Sequence, residues 1–258
     1  EMFLGYNRYL FAKKMREFQS KTPKKFRSLL QSSLNFFPTN LLDFFSQPFQ
    51  KYFGIQAFSH KIMKLSNILE FESNSDFYKK LNSIDNYQLN KNKDNRFQLF
   101  DNYNHLSLID SVQFNDIDFY LSNDILTKVD RTSMKNSLEV RSPFLDHILT
   151  NKVFSISSSK KIMNNQLKFF LKDILKDYVP SELFLRPKMG FAIPIDKWLR
   201  KNRMVDLCND IFFNVNWETL GYKGTRIIGI WEDYKKYKNC PPNTIWTYLI
   251  AGLWIQNN

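Results

Sequence analysis

DFYLSNDILTKVDRTSMKNSLEVRSPFLDH, running from Asp118 to His147, joins a capped helix, an alternating extended piece and a second helix started by proline. It also sets more polar groups among apolar ones than any other stretch of the chain. Ser122 is placed to cap a helix, with Asn123 and Asp124 in the first turn, where a carboxylate meets the positive end of the helix dipole. A helix is therefore expected to start near residue 123. Ile125, Leu126 and Val129 make its expected buried stripe, and Leu126, Asp130 and Met134 recur every four residues along one edge. Asp130 then lies in an apolar row, where a carboxylate needs a cation, a hydrogen bond or a chemical task. Asp124 and Lys128 form an i,i+4 pair, and Arg131 is near enough on the next turn to join them.

Beyond Asn136 and Ser137, which suit a helix end, Leu138-Glu139-Val140-Arg141 alternates apolar and charged residues at the strand period. Glu139 and Arg141 should point the same way. Pro143 fits the first turn of a new helix carrying Phe144, Leu145, Ile148 and Leu149 inward. By pattern alone this stretch reads first as a packed helical corner held by ion pairs, since structural networks also bury charge.

Composition narrows the class. A chain of 258 residues with 43% hydrophobic side chains can bury a proper core, as one large domain or two small ones. It carries 25 Phe, 12 Tyr and 5 Trp but only 7 Gly, which favours helices over a glycine-loop architecture. Cys208 and Cys240, with His60, His105 and His147, offer neither metal-ligand spacing nor a disulfide framework, so no metal site is expected and a reducing cytoplasm fits best. The net charge of +12 points to anionic partners such as nucleotide, pyrophosphate, nucleic acid or a membrane surface. Lysine runs through the whole chain, however, and the basic run with Lys21, Lys24 and Lys25 lacks the aromatic interleaving of a nucleic-acid face and reads as a solvated helix end. No apolar run approaches the ~20 residues of a membrane span. No secretory signal is read in the opening residues, and a chain starting on Glu1 within an amphipathic motif is expected to be a piece of something longer.

Along the chain, Phe3 and Gly5 mark a turn-like entry, followed by Leu10, Phe11, Met15 and Phe18 at helical spacing. Between Pro23 and Phe58, Pro38, Pro48 and Gly54 break short apolar pieces into short packed helices; residues 72–97 are polar and read as helix ends and exposed loops. Leu167, Phe170, Leu171, Ile174, Leu175 and Tyr178 form a helical stripe ended by Pro180. In the next segment, SELFLRPKMGFAIPIDKWLR (181–200), Pro187 and Gly190 place Lys188 on a loop with Arg186 beside it. By pattern alone an exposed loop lysine is the commoner reading of this arrangement, and an anion site is the functional one. Gly221 and Gly224 precede a helix bearing Ile227, Ile230, Trp231 and Tyr234. Pro241-Pro242 then introduce a last helix, Thr244 to Ile255, apolar nearly all round, which is buried or docks on a neighbour.

Taken together, LSNDILTKVDRTSMKNSLEVRSPFLDH and RPKMGFAIPIDKWL resemble the synthetase domain of glutamine-dependent asparagine synthetases. The opening EMFLGYNRY resembles the end of that family's acidic-glycine loop followed by its Phe-Gly-Gly-Tyr element, with Leu4 where the family usually carries Gly. The resemblance runs in order from Glu1 to at least Arg200; after that only helical character is shared. It implies a complete enzyme with two parts. An N-terminal glutaminase frees ammonia, and an ATP-pyrophosphatase domain uses ATP and Mg2+ to adenylate the side-chain carboxylate of aspartate, after which ammonia displaces AMP. Neither the glutaminase nor the Ser-Gly-Gly-x-Asp-Ser pyrophosphate loop lies in these residues. The expected fold is therefore mainly α: residues 1–258 as the helical C-terminal portion of an α/β adenine-nucleotide-hydrolase-like synthetase domain, with the parallel sheet largely missing and the piece inactive by itself.

Carried over residue by residue, the resemblance implies that Lys188, beside Arg186, faces the pyrophosphate and the acyl-adenylate. Asp130 and Arg131 match the Asp-Arg of the Lys-Val-Asp-Arg motif, and Asp124 matches its upstream acid. Lys188, Asp130 and Asp124 are thus the expected catalytic residues; Arg131, Arg186 and Glu1 are expected to bind ATP or pyrophosphate. A fixed ammonium is most useful where adenylation builds negative charge. An attacking ammonia must lose a proton, for which a partly desolvated carboxylate is a suitable base. Asp130 is taken for that role ahead of Asp124 and Glu1, while Glu139 and Arg141 are read as structural supports. The expected partners are ATP, aspartate and ammonia from the glutaminase, with no nucleic acid and no membrane, and a homodimer is left open. A paralogue amidating another carboxylate, such as a sugar uronate, would share these motifs, and a helical nucleic-acid-binding module is the alternative outside enzymes.

Overall fold

A computed structural model describes residues 1–36, 58–83, 100–185, 193–236 and 240–257. In chain order the described helices are α1 (Asn7–Lys21), α2 (Lys24–Phe36), α3 (Phe58–Leu69), α4 (Asn74–Asn82), α5 (Leu108–Asn115), a π-helical segment (Asp116–Leu126), α6 (Thr127–Met134), α7 (His147–Ser155), α8 (Ser158–Lys161), α9 (Phe169–Leu175), α10 (Ile195–Leu199), α11 (Asn202–Asn214), α12 (Gly224–Lys235) and α13 (Pro242–Gln256). Short 3-10 turns lie at Pro143–Leu145, Ser181–Leu183 and Trp217–Leu220. Among the described residues the β-type pairing is an isolated Met163–Gln166 bridge, so the expectation of a mainly helical chain without a sheet holds.

The contacts divide the chain into two units, Glu1–Lys24 with Phe71–Lys79 and Asn95–Met189, and Lys25–Glu70 with Lys80–Asp94 and Gly190–Asn258. In the first, α1 packs on α5, with Tyr9, Ala12 and Met15 buried on its inner face. Met2, Phe3 and Val153 form a small core to which Ile117, Leu145, Leu149, Phe170 and Leu171 add half-buried side chains. Phe77 of α4 is fully buried, its ring 6.2 Å from Phe11 and 4.9 Å from Phe71.

From Leu108 to Met134 the helix does not break. Asp116 (φ −63°) and Thr127 (φ −60°) keep right-handed helical backbone at both joints of the π-helical segment. This corrects the expected start near residue 123. Ser122 does not cap; its hydroxyl donates back to the Asp118 carbonyl. The buried stripe is corrected too. Leu126 and Val129 are each 37% exposed, and Asp130, Met134 and the rest of α6 face outward. The cause is the wide helix: the inward positions are Leu108, Val112, Asp116, Leu121 and Ile125, so two turns from Asp116 take nine residues, where an α-helix takes about seven. Extrapolating an α period across that segment turns the wrong face inward.

Pro143 does open a turn, and Asp146 caps α7 by accepting from the amides of Ile148 and Leu149 at 3.0 Å. Leu145 and Leu149 point inward as expected, but Phe144 and Ile148 are more than half exposed. The stripe from Leu167 to Tyr178 is realised only as α9. Lys168 enters it in left-handed conformation (φ 56°), and Ile174 and Tyr178 are exposed.

The second unit has the larger core, in which Phe212, Trp217, Ile227, Trp231, Tyr248 and Leu249 bring together α11, α12 and α13. Ile227, Trp231 and Tyr234 of α12 are buried as the spacing predicts. α13 is two-faced: Ile245, Tyr248 and Leu249 are buried, whereas Ile250 and Trp254 are about half exposed. Gly252 permits the close approach of this helix, because a Cβ there would lie 2.3 Å from Ile211 Cγ2 and 2.9 Å from Trp217 Cη2.

Candidate active site

The acidic and basic groups of Asp124 to Arg131 stand on the outer face of one helix. Lys128 Nζ lies 3.7 Å from Asp124 Oδ1, the expected i,i+4 pair, while Arg131 Nε lies 3.9 Å from its neighbour Asp130 rather than joining that pair. All four side chains are more than half exposed, so Asp130 is not desolvated in this chain as the apolar row implied. Glu139 and Arg141 do point the same way, joined at 2.8 Å, and are likewise exposed. Apolar groups alternate with these charges: Met134, Leu138, Val140, Phe144 and Ile148 are all at least half exposed. Lys188 and Arg186 lie outside the described residues.

Glu1 is held differently. Its carbonyl and that of Met2 accept from the Gln113 carboxamide at 3.0 and 2.8 Å, and the Leu4 amide closes the turn onto the Glu1 carbonyl at 3.1 Å. Leu4 is fully buried with φ 51°, so the tight turn forms although a leucine occupies the left-handed position. The Glu1 carboxylate lies against the Tyr6 hydroxyl, and burial followed by this negative charge pushes the phenol above its ordinary range. Glu1 Oε1 is buried and makes no hydrogen bond among the described residues. Asp124 and Asp130 share one continuous helix with Lys128 and Arg131, while Glu1 makes its contacts with Gln113, Leu4 and Tyr6.

Sequence reasoning missed the buried carboxylate of this unit. Asp116 is fully buried; Arg8 Nη1 reaches its Oδ1 at 2.7 Å and the Tyr78 hydroxyl donates to the same oxygen at 2.9 Å. Burial pushes the Asp116 carboxyl up, and the neighbouring Tyr9 hydroxyl, the Arg8 charge and the Tyr78 hydrogen bond oppose that rise. Tyr9 and Tyr78 are raised in turn, mainly by burial and then by the carboxylate. The Arg8 guanidinium lies 4.9 and 4.6 Å from the ring centres of Tyr6 and Tyr120. The signal was present: Leu108, Val112 and Asp116 recur every four residues, so this acid, not Asp130, sits in the apolar row.

Among the described residues no group of three His, Cys, Asp or Glu side chains could hold a metal ion. No helix among them is long and apolar enough to cross a membrane.

The family model for asparagine synthase matches residues 1–256. The chain belongs to that family. Among asparagine synthase relatives, the glutamine-hydrolyzing asparagine synthetase 1 of Bacillus subtilis (strain 168) is 33% identical over 146 residues, covering 57% of this chain and 23% of the relative. Asparagine synthetase 3 of the same organism is 37% identical over 78 residues, 28% of this chain and 13% of that one. The Gallus gallus asparagine synthetase is 36% identical over 72 residues, 27% of this chain and 13% of its own length. Over each alignment the chain thus spans less than a quarter of these curated family members. No solved structure matches it.

Proposed function

We propose that this chain is the helical part of an ATP-dependent amidotransferase that adenylates the side-chain carboxylate of aspartate and then transfers ammonia derived from glutamine, giving asparagine, AMP and pyrophosphate. The family match over residues 1–256 carries this reading, and the names of the relatives supply the product. The exposed face running from the end of the π-helical segment into α6 supports it, because Asp124 and Asp130 alternate there with Lys128 and Arg131.

In this reading a carboxylate of that face, Asp130 ahead of Asp124, takes the proton lost by ammonia as it attacks the acyl-adenylate. It gains the required basicity when neighbouring protein or substrate removes water from it. Arg131, with Lys188 and Arg186 by resemblance, opposes the charge that builds on the phosphates. ATP and magnesium supply the adenylating chemistry when bound. The exposed apolar side chains of the 134–148 stretch are the surface on which the remainder of the synthetase packs, since large apolar side chains left exposed in one stretch favour an interface. The glutaminase, ATP and aspartate belong to the full-length protein, and its compartment is taken to be the cytoplasm.

The test is aspartate-dependent exchange of labelled pyrophosphate into ATP by the full-length protein, together with asparagine formation from ammonia in place of glutamine. Both are expected. Exchange that needs another carboxylic acid, and ignores aspartate, would overturn the assignment.

A further inference from the structure

The turn at Glu1–Leu4 holds two unfavourable features at once. Leu4 occupies the left-handed region at φ 51°, where its Cβ crowds the following carbonyl and a glycine would be relaxed. Glu1 Oε1 is buried without a hydrogen bond among the described residues, a further cost for a charged acceptor. A turn that carried only these would relax. Strain of this kind persists where its surroundings over-determine it, and such places cluster at functional sites.

Beside the burial of Leu4 itself, one side chain fastens the turn. Gln113 on α5 is 1% exposed, and its amide nitrogen donates to two consecutive carbonyls, Glu1 at 3.0 Å and Met2 at 2.8 Å. Three residues further along the same helix, Asp116 holds Arg8 at 2.7 Å. The opening segment is thus fastened at both ends to one face of α5 and its continuation, while Met2, Phe3 and Leu4 bury their side chains between.

We infer that Gln113 is a positioning residue for the Glu1 turn: by fixing both carbonyls it sets where the Glu1 carboxylate stands, and through it the affinity of the synthetase for ATP. The link to ATP rests on the nucleotide-binding role that the family resemblance implies for Glu1, within the adenylating reaction proposed above. Gln113 itself touches no reacting atom. Its carboxamide is specifically suited to the task, because it supplies two N–H donors from a single group, which a hydroxyl or a thioether cannot.

The experiment compares the full-length protein with Gln113→Met, which keeps the length of the side chain and removes both donors. Hydrogen exchange at the Leu4 amide, bonded to the Glu1 carbonyl, should accelerate while the amides of α5 stay protected. The KM for ATP in pyrophosphate exchange should rise by about tenfold or more, with kcat and glutaminase turnover little changed. A purely structural role would instead reduce the fraction of active enzyme, lowering kcat at constant KM. Unchanged Leu4 exchange would overturn the clamp, and accelerated exchange with an unchanged KM would overturn its link to ATP. Should the methionine variant fail to fold, Gln113→Asn keeps the donors but withdraws them by one methylene, and the same two readings apply to it. A parent enzyme lacking ATP–pyrophosphate exchange would overturn the proposed reaction and the KM effect together, leaving the Leu4 amide to decide the clamp.

Discussion

Leu4 shows two forces of similar size in opposition. Its left-handed backbone costs roughly 1–2 kcal/mol, a cost that glycine would avoid. Its fully buried side chain, however, supports a contribution of about 2–5 kcal/mol, the range lost when a buried leucine is truncated. Burial wins. Leu4→Gly should therefore destabilise the protein by about 1–3 kcal/mol, read as a lower midpoint in chemical denaturation; an unchanged or raised midpoint would show that the backbone term dominates. Lys188 is argued at the same scale, although only its resemblance to the Arg-Pro-Lys loop places it. In the full-length enzyme Lys188→Ala should remove about 3 kcal/mol of transition-state stabilisation and lower turnover more than ATP affinity. Lys188→Arg should rescue poorly, since a planar fork replaces a compact ammonium. Near-normal ammonia-dependent turnover in the alanine variant would make Lys188 an ordinary surface lysine.

Elements account for what was and was not legible in the sequence. Where one period governs a helix, as in α12, the inward residues Ile227, Trp231 and Tyr234 follow from spacing alone. The pair Glu139–Arg141 was equally readable, because an extended chain has only two faces. The continuous helix through Asp116–Leu126 defeated the same reasoning, since nothing local in that stretch announces a 4.4-residue turn rather than a 3.6-residue one. Side chains sustain the widened turns: Asn123 and Thr127 donate to the carbonyls of Asp118 and Ser122, each five residues earlier, at 3.3 and 2.9 Å. That register can be measured. In a Cys240→Ser background, Leu121→Cys should be alkylated on the order of tenfold more slowly than Asn123→Cys, because Leu121 is buried and Asn123 exposed. A protected Asn123→Cys and a reactive Leu121→Cys would mean an ordinary α-helix. The run of charges from Asp124 to Arg131 was legible in the sequence but its environment was not, since Asp130 lies beyond the widened turns and Asp116 at their start.

At the scale of the whole molecule, buried acids of the alkaline range dominate the response to pH. Burial pushes the Cys208 thiol from 9.0 up to about 11. Tyr9, Tyr78 and Tyr234 are likewise raised above 10.0, chiefly by burial. The folded chain then keeps protons that the unfolded chain releases, so stability should fall as pH rises from about 9 through the ordinary phenol range. Lys161, 2% exposed and lowered from 10.5 mainly by burial, works in the opposite direction. Lys64, lowered by burial as well, acts with it, but two lysines do not offset five raised phenols and a thiol. Denaturation midpoints that stay flat or rise between pH 8 and roughly 11 would contradict this balance.

The same thiol offers a separate use. Cys208 is fully enclosed between the helices of the second unit, Cys240 is half-covered, and the first unit has no cysteine at all. An alkylating reagent should consume one sulfhydryl promptly and the other only during rare openings of the α11–α13 packing. The slow phase is a stopwatch on that packing alone, one that keeps time for half of the molecule while the other half leaves no mark on the dial.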